Sequence, residues 1–147
     1  MVDPDALSEW VAKAAVDFAR AGFSIEVASI QYVDASSIDA RTRRGRQGLA
    51  RLGDEDGLHV AVAGPLRRPK RRPPIRGSWL PKQGVIVLST DASERTLSHE
   101  IGHALGLSHE RAEQNLMCSC ERVAHAEFSA VQLESMSEAI TRRFGAR

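Results

Sequence analysis

His99-Glu100-Ile101-Gly102-His103-Ala104-Leu105-Gly106-Leu107-Ser108-His109 is the stretch on which both fold and chemistry turn. In a helix, residues four apart lie on one face, so His99 and His103 can grip a single ion. Glu100 sits beside them around the helix, within reach of a metal-bound water without being a ligand. Leu97, Ile101, Ala104 and Leu105 give the helix a buried side, and Ser93 or Asp91 is placed to cap its start. Continued straight, this helix would carry residue 109 away from the ion. Gly106 can take the left-handed conformation that reverses the chain, and His109 then returns as a third ligand. Three neutral imidazoles with a fourth position open make a catalytic zinc site, not a closed structural one. A lone helical histidine is ordinarily a surface or hydrogen-bonded residue. Three in this register, around a glutamate and a reversing glycine, are not, whereas His59 and His125 read as ordinary.

Outward from the motif, residues 85–88 are short, continuous and β-rich, the pattern of a strand buried on both faces. Residues 58–63 read as another strand, preceded by a Gly-Asp-Glu-Asp-Gly turn, and residues 23–33 alternate imperfectly as a third. At the N-terminal end Asp3 caps a helix with Pro4 in its first position. Leu7, Trp10, Val11, Ala14, Ala15 and Phe18 form its apolar stripe and Gly22 its stop, which predicts a helix over 4–21. At the other end Phe128, Val131, Met136, Ile140 and Phe144 recur at helical spacing, which predicts a closing helix over 124–144. Two arginine-rich pieces lie between the strands. Residues 41–51 read as a glycine-containing loop or ragged strand. Residues 65–74 are kept out of helix and strand interiors by four prolines.

The chain of 147 residues predicts one domain with a real core. Its 42% hydrophobic content excludes a wholly disordered chain. The formal charge is only +1, so global charge implies no polyanion partner. Locally, residues 41–82 hold 12 basic and 3 acidic side chains between acidic flanks. Eleven of those cations lie between Arg41 and Arg76, a block able to meet phosphates, although no aromatic interleaving or recognition helix supports base reading. No long apolar stretch suggests a membrane span, and the acidic start does not resemble a secretory signal. The default compartment is therefore cytoplasmic, with export by a system that reads no N-terminal signal as the alternative.

The motif resembles the long zinc-binding signature of the metzincin clan of metalloendopeptidases, complete here as His99, Glu100, His103, Gly106 and His109. The wording of residues 102–107 is similar to matrixins and small bacterial relatives. Met117, within Asn115-Leu116-Met117, lies where the clan carries a methionine turn beneath the metal. The likeness covers about residues 84–117. It implies an α+β, zincin-like fold of N-terminal helix, twisted mixed sheet, active-site helix, methionine turn and C-terminal helix. One compact catalytic domain over 1–147 would divide into an upper part to about 106 and a lower part from about 107. The implied function is zinc-dependent peptide-bond hydrolysis. His99, His103 and His109 would hold one Zn²⁺, and Glu100 would be the general base that takes a proton from the zinc-bound water. Met117 would form a floor under the imidazoles. A peptide or protein substrate would lie along an edge strand within 64–82, near 77–82, with Trp79 and the 67–76 run bordering the cleft.

Some features depart from the best-known branches. The 98 residues before the motif already serve as fold, leaving no room for an inhibitory pro-segment, and no latency cysteine precedes His99. Restraint would then come from substrate choice, compartment or a separate inhibitor. Glu110 resembles a structural glutamate of the astacin branch and is either an anchor behind the ligands or plain surface. Ser119 stands where some branches have an oxyanion-stabilising tyrosine. Cys118 and Cys120 read first as buried free thiols. A second zinc site with His125, or a redox or disulfide role, are the alternatives, a bridge between next-but-one neighbours being expected to be strained. The leading reading is a monomeric metalloendopeptidase. Its alternative is a catalytically weak zinc-site binding or regulatory protein, targeted by its basic loops to nucleic acid or acidic surfaces.

Overall fold

The computed structural model describes residues 3–35, 38–53, 57–64, 66, 75–120 and 125–145. Chain order is α1 (Pro4–Ala19), α2 (Arg43–Leu52), β1 (His59–Ala63), β2 (Gly77–Leu80), β3 (Val85–Ser89), α3 (Thr96–Ala104) and α4 (Ala130–Phe144). The result is an α+β fold with four helices and a small mixed sheet among the described residues. The strand order is β1-β3-β2, with β1 parallel and β2 antiparallel to the central β3. Among the described residues β2 is therefore an edge strand, within the region where the sequence placed one. No helix among the described residues is long and apolar enough to cross a membrane.

β3 is buried at all five positions, and the two-residue period of a strand divides it between two cores. Ile86 and Leu88 face the larger one, with Trp10, Ala14 and Phe18 of α1, Leu97 and Ile101 of α3, and Met136 of α4. Val85 and Val87 face the smaller one, with Ile38, Leu49 of α2 and Ala61 of β1. Each face of the sheet is thus covered, which is why the sequence over 85–88 is continuously apolar and does not alternate.

α1 follows expectation closely. Asp3 caps it by accepting from Asp5 N–H at 3.0 Å, Pro4 opens it, and Gly22 follows its end at φ +84°. Its Asp17 is buried and accepts from Ser98 Oγ–H at 2.6 Å while pairing with Lys13. The partly exposed Lys13 compensates the buried carboxylate, and the hydroxyl contact locks α1 to the helix that carries the histidines.

Three expectations require correction. Residues 43–52 form a helix, not a loop or ragged strand. Thr42 Oγ1 accepts from Gly45 N–H at 2.9 Å, and Leu49 is fully buried against the sheet, leaving the arginines on the outer side. Gly45 is required by crowding, since a Cβ there would stand 2.0 Å from the Asp39 carbonyl oxygen. Residues 23–33 form no strand among the described residues, and Val27, Ile30, Tyr32 and Val33 are exposed. Alternation supplies an apolar face, but a strand also needs a ladder partner, and this segment pairs with none. The closing helix begins at Ala130, later than 124. Ser129 accepts from Gln132 N–H while Gln132 Oε1 accepts from Ser129 N–H, a reciprocal cap that fixes the start. Val131 and Phe144, counted in its apolar stripe, are exposed. The predicted 53–57 turn and the proline-rich basic piece lie largely outside the described residues.

Candidate metal centre

α3 begins without a side-chain cap. Arg95 occupies the cap position, while the candidate Ser93 instead donates its backbone N–H to Thr96 Oγ1 at 3.0 Å. Neither Ser93 nor Asp91 caps the helix, because a turn at 93–96 leads into it first.

The helix ends where the motif predicts. Leu107 N–H reaches back to the Gly102 carbonyl at 2.9 Å and Gly106 adopts φ +94°, the backbone signature of a left-handed helix stop. The reversal returns His109 to the helix face. His103 Nε2 lies 3.1 Å from His99 Nε2 and 3.0 Å from His109 Nε2, and the three donor atoms all fall within 4.8 Å of one another.

Two further contacts fix which nitrogen faces the centre. A carbonyl can only accept, so His99 Nδ1–H donates to Leu116 O at 2.7 Å and His103 Nδ1–H to Leu107 O at 2.8 Å. Their Nε2 atoms therefore carry lone pairs. Leu107 belongs to the reversal itself, so the chain stop made by Gly106 also orients the second imidazole. The donor set fits zinc: imidazole nitrogens at ~2.0–2.1 Å from a tetrahedral ion stand about 3.3–3.4 Å apart, close to the separations found. Burial pushes the His99 imidazole pKa down to about 4, against the opposing pull of its Leu116 contact. Burial, with the neighbouring His103 charge, also lowers that of His109. Both shifts favour the neutral imidazoles that a metal needs.

Glu100 is buried beside this cluster, and its Oε2 accepts from Trp79 N–H at 2.7 Å. The Ser89 N–H to Arg76 O bond sets the alternation of β2, turning the backbone groups of Gly77 and Trp79 away from β3. The edge strand thus seats the glutamate. Gly77 completes the seat, since a Cβ there would lie 2.9 Å from Glu100 Cγ. Burial raises the Glu100 pKa, opposed by the His103 charge and the Trp79 N–H. The indole of Trp79 packs half-buried against the larger core.

Met117 is fully buried beneath α3, its Sδ 2.6 Å from where a Cβ on Gly102 would stand. Its carbonyl accepts from Glu110 N–H at 3.0 Å, so Glu110 is tied here through its backbone, and the residue itself is exposed. Cys118 and Cys120 are joined as a disulfide, not free. Their Cα atoms stand 5.1 Å apart, within the ordinary span of a bridge, because the chain turns between them. His125 is exposed and joins no metal-ligand cluster among the described residues.

Several supporting groups escaped the sequence reading. Asn115 and Gln132 exchange side-chain amide bonds at 2.8 and 3.2 Å, and Asn115 Oδ1 also accepts from Met117 N–H at 2.8 Å. Arg95 donates to the carbonyls of Cys120 and Cys118 at 3.0 and 3.1 Å. The Ser-x-x-Gln pattern at 129–132 signals a capping box, but nothing in the sequence announces that its glutamine also grips Asn115.

Among curated proteins no match was found. The matrixin family model matches residues 82–138, from the strand hairpin through α3 and its reversal into α4. That span, with its three convergent histidines, makes this part of the chain similar to the matrixins, with a histidine cluster able to hold a metal ion as in a metzincin-type domain.

Proposed function

We propose that the protein is a zinc-dependent endopeptidase, with His99, His103 and His109 as ligands and Glu100 as general base. The observation that carries this reading is the convergence of three Nε2 atoms whose rings are oriented from behind by backbone carbonyls. Zinc held there would lower the pKa of a bound water toward ~7 and polarise the scissile carbonyl. Glu100 would take the proton from the attacking water and deliver it to the leaving amine. Its hydrogen bond from Trp79 keeps one carboxylate oxygen fixed while the proton is handled. The turn at 115–118 is the counterpart of the clan's methionine turn, with Met117 as an apolar floor that stiffens α3 through Gly102. A monomer dividing near residue 106 into upper and lower parts would take an extended peptide along β2. There Gly77 presents backbone groups outward.

The second reading, a zinc-site protein that cleaves little, is favoured by the same Trp79 contact, because it occupies an oxygen of the base. Comparing wild type with Glu100→Ala on a peptide library, with and without chelator, separates the two. About one zinc per chain is expected in both proteins, since the ligands are spared. Cleavage is expected only from metal-loaded wild type, with the variant down ~10²–10⁴-fold as befits loss of a general base. Equal cleavage by the variant would reject the mechanism, and zinc binding without cleavage by wild type would select the second reading.

A further inference from the structure

Resting on this reading of the histidines as a metal site, we propose that Arg95 is a positioning residue for it. Its guanidinium gathers the carbonyls of the 116–120 segment, so that the Leu116 carbonyl stands where His99 Nδ1–H requires it. Arg95 precedes His99 by one helical turn, and His99 N–H donates to its carbonyl at 3.0 Å. The guanidinium Nη1 donates to Cys120 O at 3.0 Å, and Nη2 donates to Cys118 O at 3.1 Å and Leu116 O at 3.4 Å. The Leu116 oxygen is the one that accepts from His99 Nδ1–H at 2.7 Å. One carbonyl is therefore shared between a ligand and the arginine behind it.

Three carbonyl dipoles converging on one point repel each other unless a cation stands there. Arginine suits the place better than lysine, because its planar fork spans several acceptors and never loses its charge. The Cys118–Cys120 bond closes the segment so that the two outer carbonyls move as a unit. Asn115 and Gln132 hold its other end against α4. Without the guanidinium, the Leu116 carbonyl loses the contact that aims it, and the His99 ring is no longer committed to presenting Nε2 toward the centre. Groups that orient a metal-binding histidine from behind typically contribute about 10–100-fold in affinity.

The experiment measures Arg95→Met and Arg95→Lys beside wild type, in the full chain. Zinc affinity is read by competition with a chromophoric chelator, and the His99 tautomer by long-range ¹⁵N–¹H spectra of the metal-free proteins. A zinc affinity about 10–100-fold weaker in Arg95→Met is expected, with a mixed His99 tautomer and only partial recovery in Arg95→Lys. A purely structural arginine would lower the unfolding midpoint and leave affinity and tautomer as in wild type, and that result would overturn the proposal. If Arg95→Met does not fold, Arg95→Lys decides: a wild-type affinity and a single tautomer overturn the assignment. Should wild type itself take up no zinc, the metal-site reading fails. The metal-free tautomer still decides whether Arg95 positions His99.

Discussion

At Gly106 a Cβ would meet nothing within 4 Å, so space does not explain the glycine. Its φ of +94° does, because that backbone conformation strains any residue with a side chain. Gly106→Ala is therefore expected to cost about 1–2 kcal/mol in urea unfolding of the metal-free protein. It should also weaken zinc binding, since Leu107 O and His109 both depend on the reversal. Gly106→Asn, which tolerates left-handed backbone better, should lie between alanine and wild type. An alanine variant as stable and as tight for zinc as wild type would mean that the reversal does not need the glycine. The convergence of the three histidines, the place of Glu100 beside them and this glycine were legible in the sequence because their spacing is local and set by helix geometry. Arg95, Asn115 and Gln132 were not. Their partners are backbone carbonyls and one another across 17 to 25 residues, and that separation leaves no periodic trace.

Among the elements, α2 separates what a pattern records from what packing decides. Its ten residues contain four arginines and two glycines, a composition that argues for a loop. One fully buried side chain, Leu49, together with the Thr42 cap, suffices to make it a helix that closes the second face of the sheet. Truncating a buried leucine typically costs about 2–5 kcal/mol. Leu49→Ala is expected to fall in that range by urea unfolding, while its effect on zinc affinity should be small, because the α2 core is separate from the α3 core. A loss well under 1 kcal/mol would show that α2 is not a structural lid on the sheet. Residues 23–33 fail in the opposite sense. Their alternation was legible, but a ladder partner is a property of the rest of the molecule and cannot be read from the segment. β3 was legible because burial on both faces leaves its own mark, a continuous apolar run.

Across the whole molecule, the histidines join two differently supported regions. α3 is anchored in the larger core and to α1 through Ser98 and Asp17. The 107–120 stretch shares that core only through Leu116 and Met117, with Leu107 packed against it, and its backbone is otherwise held by scattered contacts: Leu107 O and Leu116 O on the imidazoles, Met117 O on Glu110, and the Arg95 and Asn115 bonds. An ion bound to His99, His103 and His109 would add a cross-link between the two, and binding stabilises the folded state by mass action, about 4 kcal/mol at 1,000 times the dissociation constant. That gain should not be spread evenly. β3 amides, protected by a ladder on each side and a core on each face, open only with the whole domain. The amides of Leu107, Glu110 and Met117 depend on the reversal and the turn. Hydrogen exchange with and without zinc is therefore expected to show the largest gain in protection over 105–118. β3 should slow only as far as global stability rises. A uniform change across sheet and turn would mean that the three imidazoles do not bridge these regions, and that the reversal holds its place without an ion.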